Sequence, residues 1–299
     1  MKFKHILALI AFGAFFIPTS LTAQDDMLDM LGEEEPQPVY ATAGFKTTRI
    51  INGHSFEMNA HGVMDFKISH RFGTLNSGAL NAFGLDNALM RIGFDYGLTK
   101  WLNVGIGRNG GAIKYYDGFA KVKFLRQQTG VKNIPISALF VSDFAIDANP
   151  KNNVEQQPFY FSHRLLYTNQ IIVGRKFNDA FSLQIMPTHV HRNFVQTKAE
   201  SNDVLLMGVA GRIKLSKRVA INAEYYYALP GQLDAQYKNS LSIGFDIETG
   251  GHVFQLHLTN STGMVEPAFL TETRGSWLDG DIHFGFNVSR VFTVYRPKR

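Results

Sequence analysis

The 299-residue sequence contains no cysteine and only two tryptophans, and charged residues make up just 18% of it. The absence of cysteine excludes a disulfide framework, a thiolate metal site and a lipidated cysteine anchor. No segment beyond the amino-terminal region is an uninterrupted apolar run near 18 residues, so the sequence predicts no transmembrane helix. A membrane location would therefore require a surface helix or a β-barrel.

Residues 1–23 predict a secretory signal peptide. Lys2 and Lys4 precede a short apolar run, Ile6–Ile17, and the small residue Ala23 follows. The run is about a dozen residues, which is shorter than the roughly 20 that cross a bilayer, so cleavage near Ala23 is preferred over a membrane anchor. Export argues against nucleic acid as a partner, although the formal net charge is +5.

Residues 24–38, QDDMLDMLGEEEPQP, form an acidic tail that is expected to lie in the periplasm. A solvated tail is the favoured interpretation, because acidic stretches that end in proline rarely pack. The alternative is a docking peptide for another envelope protein. Residues 39–63 follow as a pre-barrel segment, which is expected to pack in a lumen or to seal its periplasmic end.

From residue 64 to residue 299 the chain repeats segments of about 8–12 residues in which apolar and polar side chains alternate, with turn residues between them. A period of two predicts strands rather than helices. The twelve predicted strands are 64–72, 88–97, 101–109, 118–126, 136–146, 162–176, 181–191, 204–215, 219–229, 239–248, 252–260 and 281–293.

The connections between the predicted strands differ in length in a regular way. Short or moderate connections such as 98–100 and 216–218 follow the even strands, and mostly long ones such as 73–87 and 261–280 follow the odd strands. A transmembrane barrel sorts its turns and loops in this manner, whereas a soluble sandwich has no reason to do so. The fold class predicted is all-β: a twelve-stranded antiparallel up-and-down barrel in outer-membrane lipid, with both termini periplasmic.

The alternation also predicts which side chains face lipid and which face the lumen. In the second strand Met90, Ile92 and Phe94 share the lipid side, whereas Arg91 and Asp95 share the lumen side. Two interpretations of the mixed lumen charge stay open: a path for a small polar solute, or a salt-bridge network that plugs a narrow interior. The lumen-lining candidates are Asp65, Lys67, Arg71, Arg91, Asp95, Lys121, Lys123, Arg164, Arg212, Lys214, Glu224, Asp246 and Glu248.

Local motifs give little sign of catalysis or of a cofactor. Gly105–Gly110 matches G-x-G-x-x-G, but no βαβ unit surrounds it, so nucleotide binding is rejected. His189 and His191 have the spacing of a weak metal candidate on one side of a strand, although a polar outer rim is the preferred interpretation. His54 and Ser55 are adjacent, so their side chains point apart in an extended chain. No cofactor and no catalytic residue are predicted.

Several stretches together resemble an uncharacterised β-barrel family of the Bacteroidetes, known only as a domain of unknown function. The resemblance is most specific over residues 45–110, and it implies an outer-membrane barrel without supplying an activity or a ligand. The stretches that carry it are INGHSFE (51–57), DFKISHRFG (65–73), FGLD (83–86), YGLT (96–99), VGIGR (104–108) and FNVSRVF (286–292).

Three classes of function are compatible with such a barrel. The preferred hypothesis is a narrow pore or a binding barrel for a small polar solute. The alternative is a non-transporting scaffold whose loops or acidic tail bind another envelope protein, and an enzyme embedded in the membrane ranks last.

The barrel prediction can be checked on the purified protein. A closed transmembrane barrel stays folded in SDS until it is heated. We therefore expect unheated protein to migrate differently from boiled protein in an SDS gel. Recovery of the protein as a fully soluble periplasmic species would contradict the prediction.

Overall fold

The computed structural model describes residues 37–149, 159–195, 197 and 200–296. The predicted signal peptide and residues 24–36 of the predicted acidic tail lie outside these described residues. No helix within the described ranges is long and apolar enough to cross a membrane.

The barrel strands closely follow the predicted period-two segments. Each predicted strand is present, and none of its ends differs by more than three residues from the observed strand. The barrel strands are β2 (Val63–Thr74), β3 (Ala88–Gly97), β4 (Leu102–Gly110), β5 (Tyr115–Leu125), β7 (Ser137–Asp147), β8 (Leu165–Lys176), β9 (Phe181–Arg192), β10 (Asp203–Lys214), β11 (Val219–Ala228), β12 (Leu241–Thr249), β13 (His252–Thr259) and β14 (His283–Thr293).

These twelve strands close into one antiparallel barrel, which confirms the predicted fold class. Neighbours along the chain pair with each other, and the last strand, β14, pairs with the first barrel strand, β2. Closure leaves no strand edge unpaired, and this is the condition for a sheet to exist in hydrocarbon. Two short strands, β1 (Val39–Tyr40) and β6 (Gln128–Thr129), pair with each other outside the barrel sheet.

The pleat places apolar side chains outside and polar side chains inside. Met90 and Phe94 on β3 are 45% and 41% exposed, whereas Arg91 and Asp95 on the same strand are 4% and 1% exposed. A soluble β-domain shows the opposite arrangement, because its apolar face forms the core. The outer surface therefore suits lipid, and the polar interior has to be satisfied by the protein itself.

The pre-barrel segment packs against inward-facing residues of the barrel wall. Residues 43–60, called the plug here, run into the lumen from the end where the short turns lie and come back to Gly62, whose amide bonds the carbonyl of Gly97 at 2.8 Å. Within the plug, Arg49 and His54 form an antiparallel bridge around a tight turn. The plug is largely buried, and Ile50 and Ser55 have no exposed surface.

A second element enters the lumen from the opposite end. The connection between β13 and β14 contains a short helix, α1 (Glu266–Thr271), and all six of its residues are buried. Pro267 suits the first turn of this helix because that position needs no backbone N–H donor. The sequence predicted only a long outer loop here, so the descent of α1 into the barrel is a new finding.

Two lumen-side glycines in β4 leave space for neighbouring side chains. A Cβ added to Gly105 would lie 2.2 Å from the ring of Phe119, and one added to Gly107 would lie 2.3 Å from Nη2 of Arg91. The glycines of the G-x-G-x-x-G match therefore make room in a crowded lumen and form part of no nucleotide loop.

We expect Gly105→Ala to destabilise the barrel by about 1–3 kcal/mol, because the added methyl group overpacks the site against Phe119. Gly110→Ala, on the same strand, is the control. A Cβ added to Gly110 would lie 3.9 Å from its nearest heavy atom, the carbonyl oxygen of Met90. Urea unfolding followed by gel migration measures both variants. Equal midpoints for the two would show that the lumen is not tightly packed.

Candidate functional site

Twelve of the thirteen predicted lumen-lining residues lie on the inward side of barrel strands. Arg164 lies outside the strands, so its predicted place on a strand from residue 162 is wrong: residues 161–164 form a 3₁₀ turn before β8 starts at Leu165. The Arg164 guanidinium donates to the backbone carbonyls of Asp147 and Asn149, at 2.8 Å and 2.9 Å. It thus ties the end of the β7–β8 connection to its beginning.

The lumen charges form ion pairs within one strand, between adjacent strands and across an intervening strand. Arg91 on β3 contacts Asp117 on β5 with two guanidinium nitrogens, and both side chains are buried. Lys67 contacts Asp95 and also lies 2.9 Å from a carboxylate oxygen of Asp65. Arg91 and Asp95 therefore each pair with another lumen residue, which supports the salt-bridge network over an open charge ladder.

Backbone groups of the plug are bonded by polar side chains of the barrel wall. Glu224 accepts the amides of Asn52 and Gly53 at 2.8 Å and 3.1 Å. Gln255 and Asn287 donate to plug carbonyls at 2.6 Å and 2.9 Å. A buried segment without regular structure needs such partners for each amide and carbonyl. The wall is thus matched to this particular segment.

Gly53 is required at the tip of the plug, because a Cβ there would lie 1.8 Å from the hydroxyl of Tyr226. Arg71 also bonds the tip, through the side-chain oxygen of Asn52 at 2.5 Å. Arg71 and Glu224 are two of the predicted lumen-lining residues. The structure shows that they face the plug.

Plug, wall and α1 meet at a buried centre near the middle of the lumen. Arg49 of the plug pairs with Glu266 of α1. His54 of the plug lies between two carboxylates, with Nε2 at 3.1 Å from Asp143 on β7 and at 3.3 Å from Glu266. Phe119 packs against both plug side chains. Sequence reasoning missed this centre, because its members are separated by up to 217 residues.

The plug divides the lumen into two open cavities. The cavity at the turn end has a volume of about 380 Å³ and the cavity at the loop end about 600 Å³. Between them lies a space of about 20 Å³, enough for about one water molecule. This space is therefore too small for a solute larger than water.

The loop-end cavity, called the vestibule here, has a mostly polar lining in which three carboxylates outnumber one guanidinium. The Tyr115 hydroxyl donates to Glu272 at 3.0 Å, and the Arg274 guanidinium lies 5.8 Å from the ring centre of Tyr237. The lining comprises Thr74, Ile113, Tyr115, Asp147, Asn149, Tyr237, Asn260, Thr262, Glu272, Arg274, Gly275, Asp281 and His283. None of the predicted lumen residues belongs to it, because most of the vestibule is made by connections rather than by strands.

Two titratable groups of the vestibule lie on these connections. Burial raises the pKa of Tyr237, so its hydroxyl stays protonated at neutral pH. A hydrogen bond from the Asn76 side chain lowers the pKa of Asp281, so its carboxylate stays ionised. Both shifts are consistent with a neutral donor and an anionic acceptor at the vestibule wall.

His189 and His191 lie on the outer surface near the loop end, in the position that a polar rim requires. They share one side of β9, as predicted, and both imidazoles lie 2.8 Å from the same carboxylate oxygen of Asp203 on β10. Sequence spacing did not reveal Asp203, since pairing of two strands across a long connection brings it close. The arrangement is exposed and separate from the lumen.

Comparison with known proteins adds a family. A family model described as "Membrane bound beta barrel domain (DUF5777)" matches residues 45–292. No curated protein matches the sequence. Among solved structures, the KdgM porin is similar with a TM-score of 0.49 and 8% identity, covering 77% of this chain and 99% of that chain.

Two further solved structures have comparable similarity. A NanC porin matches with a TM-score of 0.48 and 7% identity over 77% of this chain and 98% of that chain. An active-site mutant of outer membrane phospholipase A from Escherichia coli matches with a TM-score of 0.49 and 9% identity over 85% and 100%. The pairing of the twelve strands, and not these distant likenesses, establishes the barrel described above.

We expect Asp117→Asn to destabilise the barrel by about 3–5 kcal/mol, because it leaves the buried Arg91 without its counter-charge. Asp179→Asn is the matched control, since Asp179 is an exposed turn residue paired with Lys176, and its loss should leave the unfolding midpoint unchanged. Denaturant unfolding in detergent measures both. Equal effects of the two substitutions would contradict a dry, charge-paired lumen.

Proposed function

Since this chain belongs to the family of membrane-bound β-barrel domains, we propose that it acts in the outer membrane as a binding barrel for a small polar solute. The binding site in this proposal is the vestibule, and the lumen below it is closed by the plug. The proposal includes export after signal-peptide cleavage and periplasmic termini. It also includes an origin in the Bacteroidetes, which the sequence resemblance implies.

The observation that carries the proposal is the division of the lumen. A cavity of about 600 Å³ opens at the loop end and is separated by the plug from the cavity at the turn end. This volume lies within the range of about 300–1,000 Å³ that small-molecule sites occupy. A narrow open pore, the other form of the preferred hypothesis, would require the plug to move out of its contacts with Glu224, Gln255 and Asn287.

The charge of the vestibule favours a cationic solute. Three carboxylates, Asp147, Glu272 and Asp281, face one guanidinium, Arg274. Opposite charges in a partly enclosed cavity attract each other more strongly than in bulk water, since the low-dielectric walls focus the field. Tyrosine and asparagine side chains add neutral donors that fix orientation. An anionic solute would meet net repulsion here.

Putrescine and 1,4-butanediol are a matched pair of probes, because they have similar shape and differ in charge. We expect the purified full-length protein to bind putrescine more tightly than the diol. Glu272→Gln should weaken putrescine binding by about tenfold, or ~1.4 kcal/mol, with little effect on the diol. Titration calorimetry in detergent measures both affinities.

Glu248→Gln is the control for that experiment, because Glu248 lines the turn-end cavity on the other side of the plug. Its putrescine affinity should match that of the unsubstituted protein. Equal affinities for the diamine and the diol, or equal losses in the two glutamine variants, would reject the vestibule as a cation-binding site.

Planar-bilayer recording tests whether the lumen is closed. We expect the unsubstituted protein to insert without a steady conductance, and Arg49→Ala to show more frequent openings, since it removes the tie between the plug and α1. Lys176→Ala, at the turn end of β8, removes only a contact with the exposed Asp179 and should behave like the unsubstituted protein. A large steady current from the unsubstituted barrel would contradict closure by the plug.

A scaffold remains the second candidate. The pairing of β1 with β6 fixes the chain at Val39 and Tyr40, where Arg126 also lies 4.2 Å from the ring centre of Tyr40. If the acidic tail before this point binds another envelope protein, deletion of residues 25–35 should remove that co-purifying protein. Gel migration of the barrel should not change. An unchanged pull-down would exclude docking through the tail.

Catalysis ranks last among the three classes. His54 and Ser55 do not cooperate: Ser55 donates to the carbonyl of Thr47 at 2.7 Å, and His54 faces two carboxylates. Within the described ranges, no serine hydroxyl is hydrogen-bonded to a histidine, which is the pairing that an activated serine needs.

A further inference from the structure

We infer that His54, Asp143 and Glu266 form a divalent metal site at the centre of the lumen. Their ligand atoms all lie within 4.8 Å of one another. The His54 Nε2 atom is 3.1 Å from Asp143 Oδ1 and 3.3 Å from Glu266 Oε1. Tetrahedral zinc with bonds of about 2.0–2.2 Å separates its ligand atoms by roughly 3.3 Å, so the observed spacing already suits the ion.

The charge around Asp143 leaves one negative charge without a fixed partner. Its strongest charged neighbours are Glu266, Arg49, Asp117 and Arg91. Arg49 pairs with Glu266, and Arg91 pairs with Asp117. Among the described residues, His54 is the side chain that is hydrogen-bonded to Asp143. A buried carboxylate without a fixed positive partner is costly, and a bound cation is one way to remove that cost.

Three buried polar atoms of this centre have no hydrogen-bond partner: Asp143 Oδ2, His54 Nδ1 and Arg49 Nη2. His54 is 1% exposed and Asp143 is 5% exposed. The His54 ring is held edge-on against Phe119, with ring centres 4.6 Å apart, so its orientation is fixed. A metal bound by Nε2 would therefore meet a ring that is already oriented, and Oδ2 offers a second oxygen of the Asp143 carboxylate.

The donor set selects the class of ion. One imidazole and two carboxylates suit Zn²⁺ and similar transition metals, whereas Mg²⁺ and Ca²⁺ prefer oxygen ligands alone. Because the three ligands belong to the plug, the wall and α1, one ion would fasten three parts of the chain together. This role is separate from solute binding in the vestibule, so either proposal can fail without the other. A proton shared by His54 and Asp143 is the competing way to neutralise the charge.

The test is the zinc content of full-length protein without a polyhistidine tag, purified from cells grown with added Zn²⁺. All samples carry His189→Gln and His191→Gln, which remove the exterior histidines near Asp203. We expect about one equivalent of zinc by elemental analysis after dialysis against a weak chelator. Asp143→Asn and His54→Gln should each lower the zinc content at least about tenfold.

His257→Gln is the matched control, since His257 is also a buried lumen histidine and belongs to no such cluster. It should keep its zinc. Absence of stoichiometric zinc from the parent protein would favour the shared proton and overturn the site, as would equal zinc in the parent and in His54→Gln. If the variants fail to fold, X-ray absorption of the zinc-bound parent decides: one imidazole and otherwise oxygen ligands support the site, and any other ligand set rejects it.

Discussion

Charge neutralisation inside a closed barrel is the constraint on which the rest of this structure depends. The outer face is apolar, so the polar half of every strand points inward, away from bulk water. Arg71, Arg91 and Lys67 are each buried there. A charge in such a place is stable only when it is paired and hydrogen-bonded. Acidic residues of the barrel wall pair with Arg91 and Lys67, and the plug bonds Arg71.

The plug completes the lumen as much as it blocks it. Glu224 accepts two plug amides, and Gln255 and Asn287 donate to plug carbonyls, so the wall and the segment satisfy each other. Without the plug, the polar groups on the wall would need water as their partner. A barrel of twelve strands has a lumen wide enough to hold that water. The same network explains why solute binding is proposed at the vestibule, where polar groups are reached from outside.

Strand periodicity made most of the fold predictable from the sequence. The alternation along β3 and β10 correctly indicated both strands and their faces, because one face meets lipid and the other does not. Arg164 was misplaced, since a short 3₁₀ turn and a strand start look alike in a polar stretch. The lumen centre was not predictable: the pairing of Arg49 with Glu266 depends on where the plug and α1 end, and no local pattern encodes that.

The position of Gly62 bears on how the barrel is assembled. Its carbonyl accepts hydrogen bonds from the amides of Val294 and Tyr295 just beyond β14. Its own amide donates to the carbonyl of Gly97 at the end of β3. The plug thus leaves the lumen next to the β2–β14 seam, which is the last pair of strands that the chain can join. A sheet still open at that seam can receive the plug sideways and then close around it. The segment therefore never has to be threaded through a finished ring.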